Sequence, residues 1–315
     1  MDQRESNPSG HQPVMVDDVV RLLITDPEGA YLDLTAGGGG HLHALASALG
    51  RQARLFGFDR DPQAVVRATR ALSGISQTVR IIHSPFDALE RVTAQLGVGG
   101  FAGILLDLGL SSDQINDPAR GFSFQSDGPL DMRFDQTGGI TAADLVNTKT
   151  EQELTEIIRR FGEDKDARRI AKGIVTERRT EMILTTRRLA GIISSTVRPP
   201  HQTKAMARVF QALRIAVNHE LERVEQVLPQ ATAALAQGGR LAVISYHSLE
   251  DRLVKQYFRR ESTGYCICPR EAPVCGCGRT ATLKVLTRHP LGPSEAEIER
   301  NPRARSAKMR VAERV

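Results

Sequence analysis

Aromatic residues are scarce in this sequence. Phenylalanine and tyrosine together make up 4% of its 315 residues, and tryptophan is missing altogether. Proteins that bind long single-stranded nucleic acids without sequence preference stack successive bases on aromatic side chains. The scarcity of such side chains therefore argues against a broad base-stacking surface.

Long apolar runs are missing as well. No stretch approaches the ~18 consecutive apolar residues that suggest a membrane helix. Residues 1–10 are polar and lack the apolar core of a signal peptide. Hydrophobic residues make up 40% and charged residues 25%, as in an ordinary globular protein of one large domain or two small ones. We therefore expect a cytoplasmic protein with no membrane partner.

Cysteine occurs only in one short window, at Cys266, Cys268, Cys275 and Cys277. Disulfides are rare in cytosolic proteins. Two alternatives remain: unmetallated thiols, or four thiolates around one structural zinc. The C-x-C spacing differs from the commoner C-x2-C spacing of zinc sites. A zinc with four thiolates has no open position, so we expect no catalytic metal.

Positive charge is unevenly distributed along the chain. The net charge of +5 is modest, but basic residues outnumber acidic ones between residues 151 and 220. The last fifteen residues carry five Lys or Arg and one acid. Basic surfaces of this kind suit phosphate backbones. The alternative is solubilising charge on exposed helix faces.

Four consecutive glycines, Gly37 to Gly40, stand between an apolar-leaning stretch at 31–34 and an Ala- and Leu-rich run at 42–49. This order predicts a strand, a tight loop and a helix. Glycines let a loop approach a ligand closely, and the helix N-terminus offers free N–H groups. The dinucleotide-binding pattern is incomplete, because its third glycine position is Leu42. The loop predicts a nucleotide-like cofactor without selecting one; a glycine turn without a ligand is the alternative.

Strand and helix patterns alternate four times up to residue 108, which predicts an α/β fold with a parallel sheet. An irregular loop at 109–139 and a helical block follow, including one long helix at 203–227. Three further strands bring the total to seven, with a terminal hairpin. This number fits a methyltransferase sheet better than a six-stranded dehydrogenase sheet. We predict a first part at 1–135, an all-α insertion domain at 136–227 and a second part at 228–315.

Two acids end predicted strands at the edge where α/β sheets bind ligands. Asp59 lies about 20 residues after the glycines, where a carboxylate can bind both ribose hydroxyls of an adenosine. Its alternative role, capping the next helix, can be filled by Asp61. Asp107 ends an apolar strand and needs a partner, such as an amine of the ligand or substrate. The alternative is a strand-end Asp satisfied by the backbone.

Two histidines are candidates with competing structural roles. His41 could cap the helix after the glycines or touch the cofactor. His247 lies where the fifth strand ends and a helix begins, and could take part in chemistry. The spacing there is equally explained by a capping box of Ser248 and Asp251.

Several motifs together resemble the RsmH (MraW) family of bacterial 16S rRNA cytosine-N4 methyltransferases, and they cover nearly the whole chain in order. They are His11-Gln-Pro-Val14, Thr35-Ala-Gly-Gly-Gly-Gly-His41, Asp59-Arg-Asp-Pro-Gln-Ala64, Leu106-Asp-Leu-Gly-Leu-Ser-Ser112, Arg120-Gly-Phe-Ser-Phe124, Asp127-Gly-Pro-Leu-Asp-Met-Arg133, Ile244-Ser-Tyr-His-Ser-Leu-Glu-Asp-Arg252 and Asn301-Pro-Arg-Ala-Arg-Ser306. Three positions depart from the family pattern: Ala36 and Gly38, where relatives often carry an aromatic residue and an arginine, and Tyr246, where phenylalanine is common.

The resemblance implies a class I methyltransferase fold with a helical insertion and S-adenosylmethionine as cofactor. It implies that the cofactor contacts are Gly39, Gly40, His41, Asp59, Phe86, Asp107 and Gln114. The implied substrate is a cytidine in the decoding region, at the P site, of 16S rRNA in the 30S subunit. A homodimer is compatible with this.

Catalysis would need an acceptor for an N–H of the cytosine amine, and Asp107 or the turn at 245–247, with His247, could supply it. The loop at 109–135, with Phe122 and Phe124, and the basic insertion would hold the flipped nucleotide and its phosphates. The alternative for both phenylalanines is a place in the core of the insertion. Two functional alternatives stay open: a nicotinamide-dependent oxidoreductase and a non-catalytic 30S assembly factor.

Overall fold

The computed structural model describes residues 13–264, 268 and 276–315. His11, Cys266 and Cys275, which the sequence motifs include, lie outside the described residues. The chain divides into two compact units. The first unit combines the chain up to Gly109 with Leu221–Val315, and the second is Leu110–Glu220.

The first unit is built on a seven-stranded sheet in the order β3-β2-β1-β4-β5-β7-β6. Neighbours up to β5 pair in parallel, and β7 runs antiparallel to both β5 and β6. This arrangement confirms the prediction of an α/β fold with a seven-stranded sheet. The strands are β1 (Ala30–Asp33), β2 (Arg54–Asp59), β3 (Thr78–His83), β4 (Phe101–Asp107), β5 (Leu235–Ser245), β6 (Leu283–Val285) and β7 (Lys308–Arg314).

Helices cover both faces of this sheet, so the central strands are apolar on both sides. Leu32 and Ile104 belong to one buried cluster, and their neighbours Tyr31 and Leu105 belong to another, because alternate strand residues face opposite ways. The helices of this unit are α1 (Val16–Leu23), α2 (Gly40–Ala48), α3 (Pro62–Ala71), α4 (Leu89–Thr93), α12 (Ser248–Ser262) and α13 (Glu295–Arg300), with α11 (Glu220–Ala234) beginning at the unit boundary.

The second unit is helical and has a core of its own. Its helices are α5 (Ser112–Asn116), α6 (Ala142–Thr148), α7 (Glu151–Gly162), α8 (Ala167–Glu177), α9 (Thr186–Thr196) and α10 (Gln202–Asn218). Reciprocal capping boxes fix the starts of α6 and α7, the second of them at Thr150 and Glu153 as the sequence indicates.

The boundaries of this unit differ from the predicted insertion at 136–227. The unit begins at Leu110, because the irregular segment before residue 136 contributes Leu130 and Met132 to the helical core. Phe122 is buried in the same core, and the Phe124 ring packs edge-on against Phe210 at 5.4 Å between centroids. Both phenylalanines therefore pack in the core of the second unit, and neither is exposed for stacking on a nucleotide.

The prediction of one long helix at 203–227 is wrong. The chain forms two helices, α10 and α11, separated by His219 in the left-handed conformation (φ 51°). The break is held by the buried side chain of Asn218, whose amide donates to Met132 O at 2.7 Å and accepts from Phe134 N at 2.8 Å. These contacts involve residues distant in sequence, so the helical periodicity of residues 203–227 could not predict the break.

Among the described residues, no helix is both long enough and apolar enough to span a membrane.

We expect Leu130→Ala to destabilise the protein by about 2–5 kcal/mol, because it opens a cavity in the core of the second unit. Leu130 is 1% exposed, whereas Ile140, ten residues along the same segment, is 49% exposed. Ile140→Ala is therefore the control and should change the free energy of unfolding by less than about 0.5 kcal/mol. Denaturant unfolding measures both free energies. An effect of Leu130→Ala as small as that of Ile140→Ala would show that Leu130 is not part of the core.

Candidate active site

The glycine loop joins β1 to α2 and needs glycine for two different reasons. Gly37 (φ 54°) and Gly39 (φ 84°) both adopt the left-handed conformation, and Gly39 is the N-cap residue of α2. At Gly40 the reason is space, because a Cβ there would lie 2.8 Å from Pro13 Cγ. The segment before α1 thus packs directly on the start of α2.

Asp59, at the end of β2, is tied to this loop. One carboxylate oxygen accepts from Gly37 N at 2.8 Å, and the other accepts from Asp61 N at 2.8 Å. Asp61 itself caps α3 by accepting from Gln63 N at 2.9 Å, as the sequence indicates. Burial raises the pKa of Asp59. Each carboxylate oxygen has two acceptor positions, so Asp59 keeps capacity for a ligand hydroxyl.

The ends of β1 and β4 are joined through the side chain of Thr35. Its hydroxyl accepts from Asp107 N at 2.7 Å and donates to Asp33 Oδ1 at 3.2 Å. Thr35 N donates to the same Asp33 oxygen at 2.9 Å. Asp33 Oδ2 is buried and has no hydrogen-bond partner among the residues that the structure describes. Asp33 and Thr35 were not predicted from the sequence; the available signal was one acid inside an apolar strand.

His41 lies between the glycine loop and Asp107. Its Nε2 is 2.9 Å from Val14 O, and since a carbonyl only accepts, this nitrogen carries a proton. Nδ1 then faces Asp107 Oδ2 at 3.8 Å. The interpretation of His41 as the helix cap is wrong, because α2 begins one residue earlier with Gly39 as its N-cap. The imidazole instead places Nδ1 beside the strand-end carboxylate of Asp107.

The acids of this cluster carry unfavourable charge. Burial raises the pKa of Asp107 to about 6, opposed by His41 and reinforced by Asp33. Burial also raises the pKa of Asp33, again opposed by His41. The buried Asp33 and the half-buried Asp107 thus lie near a single imidazole, and a cation brought into the cluster would favour the charged forms of both carboxyls.

The turn after β5 starts α12 in a way the sequence did not indicate. His247 is the N-cap residue: its Nδ1 accepts from Glu250 N at 3.4 Å, and the Glu250 carboxylate accepts from His247 N at 3.4 Å. The prediction of a Ser248–Asp251 capping box is therefore wrong. Asp251 pairs with the guanidinium of Arg310 on β7, with Nε at 2.7 Å. Because its carboxylate pairs with Arg310, Asp251 does not cap α12, and His247 and Glu250 form the capping box instead.

Two further predicted cofactor contacts lie in different units. Phe86 opens a 3-10 turn (Phe86–Ala88) after β3 in the first unit and packs against the core there, half-buried. Gln114 belongs to α5 in the second unit, where its Oε1 accepts from Ser111 N at 3.1 Å.

The model of the MraW methylase family matches residues 8–315. The chain belongs to this family. A relative from Geobacter sp. (strain M21), named ribosomal RNA small subunit methyltransferase H, is 46% identical over 97% of this chain and 98% of its own. One of the same name from Thermomicrobium roseum is 47% identical over 97% and 94%. A solved rRNA methylase from Streptococcus thermophilus aligns over 95% of this chain and 93% of its own, with a TM-score of 0.40 and 12% identity.

Family membership confirms the predictions of a methyltransferase and of S-adenosylmethionine as its methyl donor. The alternative of a nicotinamide-dependent oxidoreductase is wrong. The missing third glycine at Leu42 accords with this, because the loop does not have to accommodate a dinucleotide pyrophosphate.

The described residues fit this cofactor. S-adenosylmethionine carries a sulfonium and an ammonium group, and the buried acids Asp33 and Asp107 provide the negative charge that such cations need. Asp33 Oδ2 is a buried acceptor with unused capacity. The left-handed loop at Gly37 and Gly39 leaves backbone open to close approach, and Asp59 stands beside it.

We expect Gly39→Ala to weaken S-adenosylmethionine binding by about tenfold, because a side chain at φ 84° costs about 1–2 kcal/mol and distorts the loop. The added Cβ would also lie 3.2 Å from Leu72 Cδ1. Gly74→Ala is the control: in the described part of the chain no atom lies within 4 Å of a Cβ built there. Calorimetric titration gives both dissociation constants, and equal values would contradict this role of the loop.

Proposed function

We propose that the protein transfers a methyl group from S-adenosylmethionine to N4 of one cytidine in the decoding region, at the P site, of 16S rRNA. The observation that carries the reaction is the Asp107 carboxyl, which ends β4 beside the glycine loop with 19% of its side chain exposed. The substrate class is supported by the relatives named ribosomal RNA small subunit methyltransferase H. The choice of cytidine N4 rests on the motif resemblance.

The chemistry requires one acceptor group from the protein. When bound, S-adenosylmethionine would supply an electrophilic methyl group for N4, with its sulfur as the leaving group. Asp107 accepts an N–H of the cytosine amine, orients the amine lone pair, and takes up the proton that N4 releases. Alignment of reactants by such contacts can lower a barrier by about 7–11 kcal/mol.

The other site residues bind and orient. Gly39 and Gly40 let the backbone approach the cofactor, Asp59 accepts from the ribose hydroxyls, and Phe86 lies against the adenine. His41 and Asp107 complete the cofactor contacts of the first unit, and Asp33 adds negative charge. Gln114, in the second unit, stays a contact predicted from the motif resemblance. His247 stays a second candidate for the amine contact, although its Nδ1 is engaged at the start of α12.

The helical second unit binds the RNA, which is the function predicted from the sequence for the insertion domain. Helix α8 exposes Arg168, Arg169 and Lys172 while burying Ile170 and Ala171, so its outer face is basic. Exposed guanidinium and ammonium groups of this kind bind phosphates. We place the reaction in the cytoplasm, on rRNA within the 30S particle; a homodimer stays a prediction.

Asp107→Ala and Asp59→Ala should each abolish methyl incorporation into 30S particles isolated from a strain that lacks the enzyme. The first removes the proton acceptor, and the second removes the carboxylate that orients Gly37. Asp17→Ala, an exposed acid in the first turn of α1, is the control and should keep wild-type incorporation. Incorporation of radioactive methyl groups is the measurement.

Two outcomes would contradict the proposal in different ways. If both site variants incorporate methyl groups at the wild-type level, Asp107 and Asp59 are not active-site residues. Wild-type protein that binds 30S particles but incorporates no methyl group, at any cofactor concentration, would favour the non-catalytic assembly factor.

A further inference from the structure

We propose that Tyr246 is a positioning residue for methyl transfer: its hydroxyl holds the Asp107 carboxylate so that Oδ2 is the oxygen presented to the substrate amine. The inference rests on the proposed function of Asp107 as the amine acceptor. The Tyr246 hydroxyl lies 3.0 Å from Asp107 Oδ1 and donates to it. Oδ1 then keeps one acceptor position and Oδ2 keeps both, so Oδ2 is the freer oxygen for the substrate.

Tyr246 is itself held at several points. Its backbone N–H donates to Glu250 Oε2 at 3.0 Å, which ties the residue to the start of α12. Its ring packs beside Gly109, where a Cβ would lie 3.2 Å from the ring carbon Cδ2. Gly109 adopts φ 99°, a conformation that glycine provides without strain. The turn after Asp107 is therefore shaped to accept the tyrosine ring.

The other end of Asp107 is fixed as well. Its backbone N–H donates to Thr35 Oγ1 at 2.7 Å, at the end of β1. His41 Nδ1 stands 3.8 Å from Oδ2, beyond hydrogen-bond distance. The carboxylate is thus restrained by Thr35 through its main chain and by Tyr246 through one oxygen, while Oδ2 keeps its acceptor positions.

The charges around the pair make Tyr246 a permanent donor. Burial, together with Asp107, Glu250 and Glu297, raises the pKa of Tyr246 well above 10, so the hydroxyl keeps its proton at any working pH. Burial raises the pKa of Asp107 to about 6; His41 opposes the rise, Asp33 and Glu250 add to it, and the Tyr246 hydrogen bond opposes it. Removing the hydroxyl therefore raises the pKa of Asp107 further.

The test is Tyr246→Phe, which removes the hydroxyl and keeps the ring. Asp107 must be ionised to accept an N–H, so wild-type kcat/KM should fall as the pH drops through about 6. In Tyr246→Phe this fall should occur at higher pH, and kcat should drop about tenfold, as expected for one hydrogen bond to a charged group.

Tyr257→Phe is the matched control, because it also removes a buried tyrosine hydroxyl, here one that donates to Thr232 Oγ1 at 2.9 Å. It should keep the wild-type pH profile. Gly109→Ala is a second variant, whose methyl group displaces the Tyr246 ring without deleting the hydroxyl, and it should shift the profile in the same direction as Tyr246→Phe.

A measurement that needs no activity separates this inference from the proposed function. Carbon NMR of the Asp107 carboxyl in cofactor-free protein should show a higher pKa in Tyr246→Phe than in wild type. An unchanged Asp107 pKa together with an unchanged pH profile would overturn the role of Tyr246. Failure of wild-type protein to methylate 30S particles would overturn the proposed function alone, and the NMR titration would still decide whether Tyr246 controls Asp107.

Discussion

The site depends on one hydroxyl group, Thr35 Oγ1, which connects the carboxyl ends of β1 and β4. By accepting from Asp107 N and donating to Asp33 Oδ1, it fixes both strand-end acids in one place. A strand-end N–H left unpaired in this interior would cost about 1–3 kcal/mol. Parallel pairing of β1 with β4 brings the two strand ends to the same edge, and the threonine sets their local geometry.

The second constraint is electrostatic. Asp33 and Asp107 are buried beside a single imidazole, and burial raises the pKa of both acids. Such a cluster is unfavourable in the absence of a cation and becomes favourable when positive charge enters it. We propose that the sulfonium and ammonium groups of the cofactor supply this positive charge, so that the electrostatics that cost folding free energy contribute affinity for it.

Much of the first unit follows from local sequence patterns. Apolar strands of four to seven residues, a glycine loop and acids at strand ends are visible in the chain itself, which is why Asp59 and Asp107 were predicted in their observed positions. What was missed depends on contacts distant in sequence. The cap at His247 follows from the diversion of Asp251 to Arg310, and the break at His219 from the burial of Asn218 against residues 132 and 134. The importance of Asp33 emerges only when Thr35 and Asp107 are placed beside it.

We propose above all that these residues act together to methylate one cytidine of 16S rRNA. Mass spectrometry of nuclease digests of 16S rRNA, from cells with and without this gene, tests it most directly. We expect N4 methylation of a decoding-region cytidine in cells that carry the gene, its loss when the gene is deleted, and its return on complementation with wild-type protein. The same modification state at that cytidine in both strains would contradict the claim.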